Sequence, residues 1–145
     1  MLIQKFGGTS LADIKGFVAA AGIISNAAAT EKVVVVLSAM AGVTDLLENS
    51  IETAINNGDF NAVIQGIKDR EQGVLQKMAA EGWDCPLATD FLQVLLKRLE
   101  SRLAGVALLE QCPEEVKAEL LSSGEGFSSR LMCDLLQAQG YAARW

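Results

Sequence analysis

An α/β domain built on parallel strands is the fold class this sequence predicts, and three observations predict it. Residues 2–6 and Val33–Leu37 read as short strands with a helical pattern between them, one βαβ unit whose crossover should be right-handed. Polar, glycine-bearing turns follow strands or open helices, where open α/β sheets bind their ligands. Half of the 145 residues are hydrophobic, enough for one compact domain with a real core and tight for two.

The elements follow in order. The first helix runs from Asp13 to about Ala28, with Ile14, Phe17, Val18, Ala21 and Ile24 at helical spacing. Val33-Val34-Val35-Val36-Leu37 is an unbroken apolar run, the pattern of a central parallel strand buried on both faces. A second helix spans about Val43 to Asn56 and breaks at Asn57-Gly58. Asp59 can cap a third helix carrying Phe60, Val63, Ile64, Ile67, Val74, Leu75 and Met78. After a loop from Glu81 to Pro86, the row Leu87, Phe91, Leu95, Leu99 and Leu103 marks one face of a long helix reaching Leu109. Pro113 suits the first position of the next helix, which runs toward Leu121. Ser122-Ser123-Gly124-Glu125 reads as a loop, and a last helix carrying Leu131, Met132, Leu135 and Leu136 stops at Gly140. Tyr141 to Trp145 looks like the entry to a third strand, and an aromatic end inside a strand reads as a cut through a longer domain.

Composition narrows the chemistry. A net charge of -6 and scattered basic residues argue against nucleic acid or an anionic membrane as partner. No apolar run approaches a bilayer span and the N-terminus is not a secretory signal, so a cytoplasmic location is expected. Cys85, Cys112 and Cys133 are odd in number and lack C-x-x-C spacing, which fits free thiols, mostly buried, rather than a zinc site or a disulfide framework. The chain contains no histidine, so catalysis through a histidine base is excluded. The triplet Asp69-Arg70-Glu71 and the pair Glu114-Glu115 read as solvated helix surface, and Trp83 as a loop anchor.

Three turns remain as carriers of chemistry. Lys5-Phe6-Gly7-Gly8-Thr9-Ser10 could let backbone N–H groups approach an anion, with the lysine adding a mobile positive charge. Its lysine precedes the glycines, the reverse of a P-loop, and a plain capped turn is the alternative. Ser38-Ala39-Met40-Ala41-Gly42-Val43-Thr44-Asp45 follows the second strand and opens a helix, where Thr44 and the helix amides could hold a carboxylate or Ser38 and Thr44 could merely cap. Glu125 in the third turn is ordinarily dipole compensation, and gains interest only if it faces the same crevice.

Taken together, the turns resemble the aspartate kinases of the amino acid kinase family. The resemblance rests on Lys5-Phe6-Gly7-Gly8-Thr9-Ser10, on Val36 through Leu47, and on Ser123-Gly124-Glu125 with Ser128 following, in one order along the whole chain. Leu109-Glu110-Gln111-Cys112-Pro113 is similar to the bifunctional aspartate kinase–homoserine dehydrogenases. The resemblance implies a three-layer αβα fold with a mainly parallel sheet, of which residues 1–145 would be a helix-rich, N-terminal, substrate-side half. It implies transfer of the γ-phosphate of ATP, with Mg2+, to the side-chain carboxylate of L-aspartate, the first step toward lysine, threonine and methionine. Lys5 would neutralise the transferring phosphate, and Gly7, Gly8 and the amides near Thr9 would contact its oxygens. Ser38 would lie by the reaction crevice, Thr44 would bind aspartate, and Glu125 would take its ammonium group; Asp45 receives no role. A homo-oligomer is expected. Family members continue past this length with the α-carboxylate-gripping arginine, most of the adenine and ribose site and regulatory ACT domains, so this chain alone is expected to be inactive. The competing reading is a stand-alone module that holds a small anion or amino acid without catalysis; another amino acid kinase acting on a different carboxylate is a further alternative.

Overall fold

The computed structural model describes residues 1–145. Strand β1 (Leu2–Phe6) leads through a 3-10 turn (Gly8–Leu11) into α1 (Ile14–Ala28), and β2 (Val33–Leu37) follows. The helices α2 (Val43–Ile55), α3 (Phe60–Ala80), α4 (Pro86–Leu109), α5 (Glu114–Leu121) and α6 (Ser123–Ala138) complete the chain. The strands pair in parallel, Leu2 opposite Val33 through Phe6 opposite Leu37. This is a small parallel sheet in a helix-rich α/β domain, as the periodicity predicts.

Helices α1 and α6 cover one face of the sheet, and α4 packs on α6 and against the α2–α3 pair. One core runs through all of it, from Phe6 and Leu37 on the sheet through Phe17, Leu47, Ile67 and Leu99 to Phe127 and Leu131. Burial of this apolar surface, at about 25 cal/mol per Å2, is the main force holding the layers together. Local chemistry sets the helix ends. Asp13 accepts a hydrogen bond from the Gly16 N–H at 3.0 Å and Asp59 accepts one from Ala62 at 3.3 Å, so both aspartates cap their helices. The N-terminus of α4 is capped from a distance: the buried Asp134 of α6 accepts the Ala88 N–H at 2.7 Å.

Several expectations are corrected. β2 is buried on one face only, with Val34 and Val36 exposed beside Ile3 and Lys5 of β1, because no helix covers that side. Residues 141–145 form no strand; the Tyr141 N–H bonds back to Leu136, and the Ala143 carbonyl is taken by the Gln137 side chain. Trp145 is nevertheless anchored: its indole N–H donates to Ser129 Oγ at 2.8 Å, and its ring meets Phe91 edge-on and lies under the Arg130 guanidinium. Pro113 is the residue before α5 rather than its first, while Pro86 opens α4 in the position where its missing N–H costs nothing. Ser123, Gly124 and Glu125 are the first turn of α6, not a loop, since only Ser122 separates α5 from α6. Leu87 is exposed, although Leu95, Leu99 and Leu103 of the same row are buried. Glu71 is the largest departure: it is wholly buried, because α3 is covered by neighbouring helices on the face that carries Ile67, Glu71, Val74 and Met78.

Candidate functional site

The three polar turns meet at the carboxyl end of the two strands. Parallel pairing brings this about first: the Ser38 N–H donates to the Phe6 carbonyl at 3.0 Å, so the chain leaves both strands side by side. Close packing does the rest. A methyl group on Gly8 would stand 2.9 Å from the Ala39 carbonyl oxygen and 3.6 Å from the Ala41 nitrogen. A methyl on Gly124 would stand 2.7 Å from Ala39 Cβ and 3.1 Å from Val43 Cγ1. Neither position has room for a side chain, and Ala39, between them, is buried. The glycines therefore let the first and third turns close onto the second.

Each residue singled out in the sequence can be placed. Lys5 stands on the open face of the sheet, paired in register with Val36, exposed and without an ion-pair partner. Gly7 precedes the 3-10 turn, with nothing within 4 Å of where a Cβ would lie; Gly8 opens that turn, and Thr9 follows, exposed. No side chain caps the turn, so its reading as a plain capped turn is corrected. Ser38 is half-buried directly after β2, and Thr44 is exposed in the first turn of α2. Neither caps α2; the residue before the helix is Gly42, whose φ of +78° is a left-handed conformation that glycine adopts without steric cost. Glu125 lies in the first turn of α6, half-buried, with its Oε2 buried and without a hydrogen-bond partner. A buried carboxylate oxygen with no donor calls for one, and an ammonium group is a fitting donor. Ser128, one turn on, is wholly buried and its hydroxyl is also unpartnered.

Two features of the site escape the sequence. Ala39 and Gly124 pack with no room for a Cβ on the glycine, a contact hinted at only by the run of small residues in Ser38–Gly42. Arg70 of α3 reaches the second turn and donates from Nη1 to the Ala41 carbonyl at 2.5 Å, a partner 29 positions away that no local pattern announces. No group of three or more His, Cys, Asp or Glu gathers anywhere in the chain, so it offers no cage for a metal ion.

A parallel βαβ start, with three glycine-bearing turns closed on one another at the strand ends, is the architecture on which comparison with known proteins bears. The profile of the amino acid kinase family matches residues 1–145, and the chain belongs to that family. Within it, the relatives it matches are aspartokinases. The chain is 31% identical to the bifunctional aspartokinase/homoserine dehydrogenase of Buchnera aphidicola, over 97% of this chain and 18% of that protein. It is 28% identical to lysine-sensitive aspartokinase 3 of Escherichia coli, over 100% of this chain and 30% of that protein. The crystal structure of E. coli aspartokinase III in complex with aspartate and ADP superposes with a TM-score of 0.79 at 27% identity, again over 100% of this chain and 30% of that one. The chain thus spans less than a third of the length of these relatives. A Clostridium acetobutylicum aspartate kinase, at 22% identity and a TM-score of 0.70, shares the fold.

Proposed function

We propose that this chain forms the aspartate-facing part of an aspartate kinase crevice, within the N-terminal portion of an amino acid kinase catalytic domain. The observation that carries the reading is the meeting of the first and third turns on Ala39, which gathers the segments of Lys5, Thr44 and Glu125 at one end of the sheet. The solved relative with aspartate and ADP supports it, because all of this chain superposes on that protein.

The chemistry suits the residues present. The attacking group is the side-chain carboxylate of L-aspartate, already a nucleophile, so no histidine is required. One of its oxygens forms a bond to the γ-phosphorus of ATP while the bond from that phosphorus to the β–γ bridging oxygen breaks. The products are 4-phospho-L-aspartate and ADP, and this is the opening step toward lysine, threonine and methionine. Such a transfer rests on alignment and charge neutralisation. Lys5 supplies positive charge at the transferring phosphate, and the amides of Gly7, Gly8 and Thr9 face its oxygens. Ser38 borders the reacting groups, Thr44 holds aspartate, and Glu125 pairs with its ammonium group. The chain has no carboxylate cluster for Mg2+. An Mg2+ ion would therefore arrive with the phosphates of ATP, the usual habit of this cation.

The remaining parts of the reading concern the whole protein. Turnover is proposed to need polypeptide corresponding to the rest of the relatives' length, so this chain alone should be inactive. A cytoplasmic location and a homo-oligomer complete the proposal; no helix here is long and apolar enough to cross a membrane. Calorimetric titration with aspartate should give weak binding that Glu125→Ala abolishes, and an ATP-dependent aspartyl hydroxamate assay should give no product. Absence of aspartate binding, or equal binding by Glu125→Ala, would remove the assignment of the crevice, and hydroxamate formed by the purified chain would refute its inactivity.

A further inference from the structure

The second turn is held from behind by a residue that the proposed chemistry does not use. The Ala41 carbonyl receives no backbone N–H, and its hydrogen bond comes from Arg70 Nη1. The guanidinium also lies over the next residue: a methyl on Gly42 would stand 3.4 Å from Nη1 and 3.5 Å from Cζ. On its other side Ala41 presents its nitrogen and Cα to Gly8, 3.6 Å and 3.8 Å from where a Cβ there would be. Arg70, Ala41 and Gly8 therefore form a stack, with the β2–α2 turn in the middle.

Arg70 is exposed to solvent, and no acidic side chain competes for its guanidinium. Arg70 belongs to no ion pair, and the neighbouring Asp69 accepts instead from Gln65 at 2.6 Å. Its backbone is held by α3, whose inward face carries Ile67, Glu71 and Val74. The turn's flanks are packed, with Met40 and Val43 buried, but Ala41 and Gly42 between them are not buried. Gly42 has no side-chain cap, and the Met40 carbonyl closes the turn by accepting the Val43 N–H at 3.0 Å.

We propose that Arg70 is a positioning residue, holding the Ala41–Gly42 turn against Gly8 and so setting the spacing between the phosphate-facing and aspartate-facing turns. A charge-assisted bond from a planar guanidinium is stronger and more directional than the neutral turn bond beside it. The consequence for ligand binding rests on the functional reading above, but the clamp itself is a property of the unliganded chain.

The test is amide hydrogen exchange of the unliganded chain, read peptide by peptide. In Arg70→Ala, exchange across residues 40–46 should rise about tenfold, the effect of losing one charge-assisted bond from a locally opening segment. Protection in α4 and α6 should stay unchanged, and Arg70→Lys, which keeps a charged N–H donor group, should restore part of the protection. Should Arg70→Ala be too unstable to measure, Arg70→Met removes the same donor with less loss of packing. Unchanged exchange across 40–46, or a uniform rise over the whole chain, would overturn the proposal. Failure of aspartate to bind the parent chain would count against the functional reading and leave the clamp standing.

Discussion

Glu71 shows how a single residue can govern the response of the whole chain to pH. Its side chain is wholly buried and both carboxylate oxygens lack partners, so burial pushes its pKa up to about 8. In the unfolded chain the same group titrates near 4.5, so the folded form holds the proton more tightly. Below the unfolded value both states are protonated and Glu71 costs nothing through ionisation. As pH rises toward 8 the unfolded state releases its proton first, and stability falls by on the order of a few kcal/mol, then levels off. Urea melts of the parent between pH 5 and 8 should show this decline, and Glu71→Gln should flatten it. Glu71→Met, which replaces the orphaned carboxyl by an apolar chain of similar size, should add about 1–3 kcal/mol at pH 7.5. Equal slopes in parent and Glu71→Gln would mean that another group carries the pH dependence. Cys85 belongs to the same scale: burial first, then Asp134 and Asp84, push its thiol up to about 11, which keeps it an inert structural cysteine.

At the scale of elements, helix ends decide how the site is built. The first turn of α6 brings Glu125 to the other turns because Gly124 lets it press onto Ala39 and Val43. Gly124→Ala must push the two turns apart, and should cost about 1–3 kcal/mol in a thermal or denaturant melt. Gly73, on α3 with open space around it, provides the control: Gly73→Ala should leave the melt unchanged or raise it slightly. A second element-scale link runs from α6 to α4, where Asp134 accepts the Ala88 N–H and pairs with Arg130 at 3.5 Å. Asp134→Ala should destabilise by about 1–2 kcal/mol, because the first turn of α4 then buries an unpaired N–H. A melt indistinguishable from the parent would show that water or a neighbour replaces the carboxylate.

The open side of the sheet dominates behaviour at the scale of the whole molecule. Ile3, Val34 and Val36 are 65%, 46% and 44% exposed on one face, beside a groove of about 1040 Å3 lined by β2, α1, α6 and residues 141–145. Unpaired strand edges and apolar faces favour association. Sedimentation should therefore show concentration-dependent self-association, weakened by the pair Val34→Lys and Val36→Thr. A clean monomer for the parent at high concentration would contradict this.

Much of this molecule is written locally. Both strands, the helix between them, the capped start of α3 and the Leu95–Leu103 face of α4 follow from spacing and capping chemistry, and the glycine-bearing turns stand out by composition. What local pattern missed has one physical cause. Whether Glu71 meets water, whether β2 is covered on one face or two, and which carbonyl Arg70 finds depend on segments far apart in sequence. The sequence by itself determined the parallel βαβ start, the family, and the identities of Lys5, Thr44 and Glu125 as candidates. Only the tertiary structure decided that their turns meet on Ala39, because Gly8 and Gly124 reach it from two other segments, and no single segment carries that information.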